Sequence, residues 1–68
     1  MIEKEKLSVL MTVYNAEKYL KYSINSILKQ TYKNWTLIIV DDGSTDRSIN
    51  IIKNFKDKRI RLIKQKKH

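Results

Sequence analysis

The sequence has no cysteine, a single glycine and a single histidine in 68 residues. The lack of cysteine excludes a disulfide framework and fits a reducing compartment. The one histidine is the last residue, which excludes a histidine-based metal cluster. With Gly43 as the only glycine, there can be no G-x-G-x-x-G dinucleotide fingerprint and no P-loop. No apolar run approaches the roughly 20 residues that a membrane span needs. The opening "MIEKEK" is charged and lacks the apolar region of a secretory leader, so the expected location is cytoplasmic. At this length the chain is one domain at most, and such a domain buries only about 60% of its unfolded surface.

Acidic residues are also scarce. Seven Asp and Glu face 15 Lys and Arg, for a net charge of +8. Eight of those bases lie between Lys53 and His68, where Asp57 is the only acid. Such an excess favours polyanions, whether nucleic acid, anionic lipid or phosphate, unless it is simply a solvated helix face and tail. A site for single-stranded nucleic acid also wants stacking aromatics among the bases. Here there is only Phe55, at a spacing that suits a core.

"LSVLMTV" at 7–13 is short, apolar and partly β-branched, as a buried strand is. After "YN" the period changes. Ala16, Tyr19, Leu20, Ile24, Ile27 and Leu28 recur at three- and four-residue steps, which predicts a helix with Asn15 as its N-cap. "QTYKN" ends it. "WTLIIV" at 35–40 predicts a second strand, with Trp35 sealing the edge of the core. Ser44 or Thr45 can cap a second helix, with Asp46 favourable at its positive end and Ile49, Ile52 and Phe55 as its buried stripe. "IRLIK" at 60–64 is a third strand. The expected fold is α/β, a β-α-β-α-β unit with three parallel strands and right-handed crossovers, half of a Rossmann-like sheet. Residues 1–6 form a charged lead, 7–64 the domain and 65–68 a basic tail.

Ligands of such sheets gather at the carboxyl ends of the strands. Tyr14 and Asn15 lie at that end of the first strand, and Asp41 and Asp42 at that end of the second. Two adjacent carboxylates there can accept hydrogen bonds from a base and a ribose, or bind a hard cation with help from elsewhere. A phosphoryl-acceptor reading is poor, because Asp-x-Asp-Gly-Thr would need an acid where Val40 stands and a threonine where Ser44 stands. Alternatively, Asp41, Asp42, Ser44 and Asp46 are only turn and cap residues.

"TVYN", "SILKQTY" and "IIVDDGSTDRS" occur in that order, with the expected gaps. Together they resemble the N-terminal segment of family 2 glycosyltransferases of the GT-A fold, over residues 7 to about 64. The resemblance implies nucleotide-sugar binding, with Thr12, Val13 and Tyr14 in the nucleotide-contacting region. Asp42 would read a uracil-type base, and Asp41 would support the loop or contact the nucleoside. It further implies a UDP-type donor, an acceptor of unknown identity, and peripheral membrane contact of a longer parent.

Thr12 stands where many relatives carry proline. The family's Asp-x-Asp metal motif and its catalytic base lie beyond this stretch, so Mg²⁺ or Mn²⁺ is expected only in the full-length parent. The segment therefore resembles a truncated, inactive piece of a glycosyltransferase with no catalytic residue of its own. In the complete fold the first strand is interior. As an edge it invites self-association.

Overall fold

The computed structural model describes residues 6–65. The expected charged lead and basic tail therefore lie outside the described residues, except for Lys6 and Gln65. The element order is β1 (Leu7–Val13), α1 (Glu17–Leu28), β2 (Trp35–Asp41), α2 (Ser48–Lys53) and β3 (Ile60–Lys64). All strand pairings are parallel and the order is β1-β2-β3, with β2 in the centre. Leu7 pairs with Trp35 and Val13 with Asp41, while Leu37 pairs with Ile60 and Asp41 with Lys64. The expected α/β half sheet is the observed fold.

The expectation of strands buried on both faces is corrected. Burial along β2 alternates strictly, because side chains of a strand point to opposite faces in turn. One face carries Trp35, Leu37 and Ile39, with Val9, Met11 and Val13 from β1 and Ile60 and Leu62 from β3. Leu20 and Ile24 of α1 and Ile52 of α2 complete that core. The opposite face carries Leu10, 67% exposed, and Ile63, 51% exposed, beside half-buried Ile38 and Val40. Residues of both helices enter that one core, so both helices cover the same side of the sheet.

The helices differ from expectation in three ways. Tyr19 fits the apolar period yet is 70% exposed, because it sits at the flank of the stripe. Its neighbours Leu20 and Ile24 take the core. α2 has only six residues, so Phe55 packs against the core from beyond its end. Ser48 replaces Ile49 on its buried side, and Ile49 is only half-buried.

Trp35 is buried, as the sequence suggests, and a clamp holds it. The Arg59 guanidinium lies 3.9 Å from the centre of the Trp35 ring. The same guanidinium donates to Asp57 Oδ1 through Nε at 2.9 Å and to Oδ2 through Nη2 at 2.7 Å. A third donor, Nη1, reaches the Lys33 carbonyl at 3.1 Å. These side-chain bonds, with the Arg59 backbone N–H, lower the Asp57 carboxyl from 3.8 to about 2.

A carboxyl lowered on folding stabilises the fold above its unfolded value, and that stabilisation fades as pH falls from about 3.8 towards 2. The pair is partly solvated, so its share is about 1 kcal/mol or less. Urea unfolding from pH 5 to pH 2 should show a shallower acid loss for Asp57→Asn than for the parent sequence. Parallel pH profiles would contradict the clamp.

Candidate functional site: the rim beyond β1 and β2

Two loops leave the carboxyl ends of β1 and β2 side by side, because Val13 and Asp41 are register partners. The Asp42 N–H then donates to the Val13 carbonyl at 2.8 Å, extending the pairing by one step. On the other side the Gln65 N–H donates to the Asp41 carbonyl at 2.8 Å. Gly43 turns the chain with φ of 83°, a conformation that glycine adopts without strain. A Cβ there would meet only the Gln65 carbonyl at 3.9 Å, so the angle, not crowding, calls for glycine.

The two adjacent acids have different environments. Asp41 has the inward parity of Leu37 and Ile39 and is 1% exposed. Its Oδ1 accepts from the Ser44 hydroxyl at 2.6 Å and its Oδ2 from the Ser44 N–H at 2.9 Å. Asp42 follows the last strand residue, and its side chain is exposed. Its carboxylate makes no hydrogen bond or ion pair among the described residues. Burial with two short donors fixes Asp41, and exposure leaves Asp42 available to a ligand.

The helix starts are laced to one another across the two loops. Asn15 does not cap α1 as expected. It adopts φ of 47°, and its side-chain Oδ1 accepts from the N–H groups of Thr45 at 2.8 Å and Asp46 at 3.3 Å. The Asn15 N–H donates to Ser44 Oγ at 2.8 Å, and the Ala16 N–H to Ser48 Oγ at 2.9 Å. Asp46 accepts from the N–H groups of Glu17 at 3.2 Å and Ser48 at 2.9 Å. Glu17 Oε1 in return accepts from the Arg47 N–H at 2.8 Å.

Asp46 and Ser48 thus satisfy backbone donors at the start of α1, as Glu17 does at the start of α2, while Asn15 holds the loop just before α2. Partial burial pushes the Asp46 carboxyl up. The hydrogen bonds from the Ser48 side chain and from the backbone N–H groups outweigh this, and the net direction is down. Ser44 and Thr45, expected as caps of α2, serve Asp41 and Asn15 instead.

Of the five candidate residues, Thr12, Tyr14 and Asp42 present exposed side chains, Tyr14 at 61%. Val13 and Asp41 turn into the core, and Val13 offers the rim its carbonyl only through the bond to Asp42. Asn15, Ser44 and Asp46 were legible only as turn and cap types, and Ser48 was not singled out. Their partners across the two loops lie about 30 residues away, beyond the reach of local pattern. Among the described residues no group of three His, Cys, Asp or Glu can hold a metal ion. Nor is any described helix long and apolar enough to cross a membrane.

A parallel β-α-β-α-β half sheet with a built rim at its carboxyl edge belongs to the Rossmann-like nucleotide-binding class. The chain is a member of glycosyl transferase family 2, whose model matches residues 8–68. It is 57% identical over 58 residues to an uncharacterised glycosyltransferase of Haemophilus influenzae, covering 82% of this chain and 23% of that protein. It is 46% identical over 67 residues to glycosyltransferase GlyA of Streptococcus pneumoniae, covering 96% of this chain and 10% of the other.

A third relative is the Escherichia coli UDP-Glc:alpha-D-GlcNAc-diphosphoundecaprenol beta-1,3-glucosyltransferase WfgD. It is 46% identical over 57 residues, covering 84% and 22%. The chain therefore spans less than a quarter of the length of these curated relatives.

Proposed function

We propose that this segment is the nucleoside-reading corner of a glycosyltransferase that uses a nucleotide-sugar donor of the UDP type. The observation that carries the reading is the division of labour between the acids. Asp41 is committed to the loop through Ser44, and the Asp42 side chain stands exposed beside Tyr14 with no partner among the described residues. An ionised carboxylate only accepts, so it suits the imide N–H of a uracil-type base or a ribose hydroxyl. Tyr14 supplies an aromatic face beside it. Thr12 flanks the rim, and Val13 and Asp41 hold it from below.

The UDP assignment draws on the name of the E. coli relative, which specifies a UDP-glucose donor. The described acids do not form a metal site. A Mg²⁺ or Mn²⁺ that polarises the diphosphate would be held by other residues of the parent protein.

The basic-module reading finds less support. Arg59 is engaged with Asp57 and Trp35, while Arg61 lies on the open sheet face and Lys64 on the helix side of the same strand. Strand alternation disperses these charges instead of gathering them into one stripe. Contact of the parent with anionic lipid through 53–67 stays part of the proposal, and so does a cytoplasmic location.

Calorimetric titration of UDP into the full-length protein tests the donor reading. Asp42→Ala should weaken binding about tenfold or more, the scale of a charge-assisted hydrogen bond. Equal affinities would remove Asp42 from the site.

A further inference from the structure

We infer that Asn15 is a positioning residue for nucleoside binding, acting through Ser44 and Asp41 and never touching the ligand. This rests on the donor reading above and deepens it. Tyr14 and Asp42 sit on different loops, and a nucleoside gripped by both needs those loops held in one geometry. The sheet ties them only by the single bond from the Asp42 N–H to the Val13 carbonyl. The remaining ties between the two loops pass through side chains, and Asn15 takes part in more of them than any other described residue.

Its carboxamide oxygen gathers the N–H groups of Thr45 and Asp46, and its own N–H donates to Ser44 Oγ. That hydroxyl donates a hydrogen bond to Asp41 Oδ1 at 2.6 Å, and the buried carboxylate anchors the relay to the core. The relay runs from Asn15 N–H to Ser44 O–H to Asp41 and brackets the Asp42–Gly43 turn on both sides.

The backbone of Asn15 is itself part of the device. A φ of 47° is left-handed and uncommon for a residue with a side chain, and Asn is among the few types that tolerate it. The angle lets the N–H of residue 15 face Ser44 while its side chain faces the 45–46 backbone. Ordering the two loops before the ligand arrives lowers the ordering cost of binding.

The test uses the full-length protein and three probes, UDP, inorganic pyrophosphate and urea. Asn15→Gly keeps the left-handed angle and removes the carboxamide, whereas Asn15→Asp keeps an acceptor for both N–H groups. Ser44→Ala cuts the same relay from the other loop. The expected result is UDP affinity about tenfold lower for Asn15→Gly and for Ser44→Ala, and within about threefold of the parent for Asn15→Asp. Affinity for pyrophosphate, which has no nucleoside, should not change.

Undiminished UDP affinity in Asn15→Gly and Ser44→Ala, with Asp42→Ala still defective, would overturn the positioning role and leave the donor reading standing. A parallel fall of UDP, pyrophosphate and the urea midpoint would reduce Asn15 to a structural residue and overturn it as well. If Asp42→Ala also binds UDP normally, the donor reading itself falls.

Discussion

Asp41→Ala should remove a large part of this domain's stability, while Asp42→Ala, one residue away, should change it little. Asp41 is buried at the inner face of β2, and two Ser44 donors converge on its carboxylate. Alanine would take the shared acceptor from both half-buried Ser44 donors and empty the space of a buried side chain, at a cost of about 2–3 kcal/mol. A 68-residue domain has only roughly 3–10 kcal/mol of stability at 0.05–0.15 kcal/mol per residue. Asp41→Asn keeps the shape and one acceptor, but turns an amide towards a donor, so about 1–2 kcal/mol should be lost. Asp42→Ala removes an exposed side chain and should stay within about 0.5 kcal/mol. Urea unfolding of the three variants checks the series. Equal losses at 41 and 42 would mean that the two acids share one role, contrary to their different burial.

The 68-residue chain on its own should sediment as a dimer or larger species at micromolar concentration. Among the described residues β1 is an edge strand whose outer side has no strand partner. It carries Leu7, 54% exposed, and Leu10, 67% exposed, next to an open face with Ile38, Val40 and Ile63. An unpaired, apolar edge without proline is a template for pairing with another copy. The net charge of +8 opposes association, and salt screens that repulsion. Association should therefore strengthen from 50 mM to 500 mM salt, whereas binding to nucleic acid would weaken steeply over the same range. Leu10→Lys should shift the population back towards monomer. A monomer of the parent sequence at high salt would show that the edge is harmless.

The element order, the parallel sheet and the spans of β1 and β3 were legible in the sequence. Apolar strands of five to seven residues alternating with stretches of 3.6-residue period leave few other arrangements. The family was legible too, because three ordered motifs are far more specific than any one of them. Asp41 was half legible. Its parity with Leu37 and Ile39 places it inside once β2 is known to have one covered face, but nothing local says which face that is.

Tyr19 shows the limit of periodicity, since a residue at the flank of a stripe fits the spacing and still faces solvent. Ile49 lost its expected place because α2 is one and a half turns long and sits on the small side chain of Ser48.

The sequence by itself determined the kind of sheet, the rim at the carboxyl ends of its strands and the residue types available there. Those follow from short-range periodicity and from the chemistry of single side chains. Only the tertiary structure decided which acid is buried and which is free, and that Asn15 serves the other loop and not its own helix. Hydrogen bonds between residues 29 to 32 positions apart leave no trace in local pattern. They exist only because the parallel register of Val13 with Asp41 brings the two loops to the same edge.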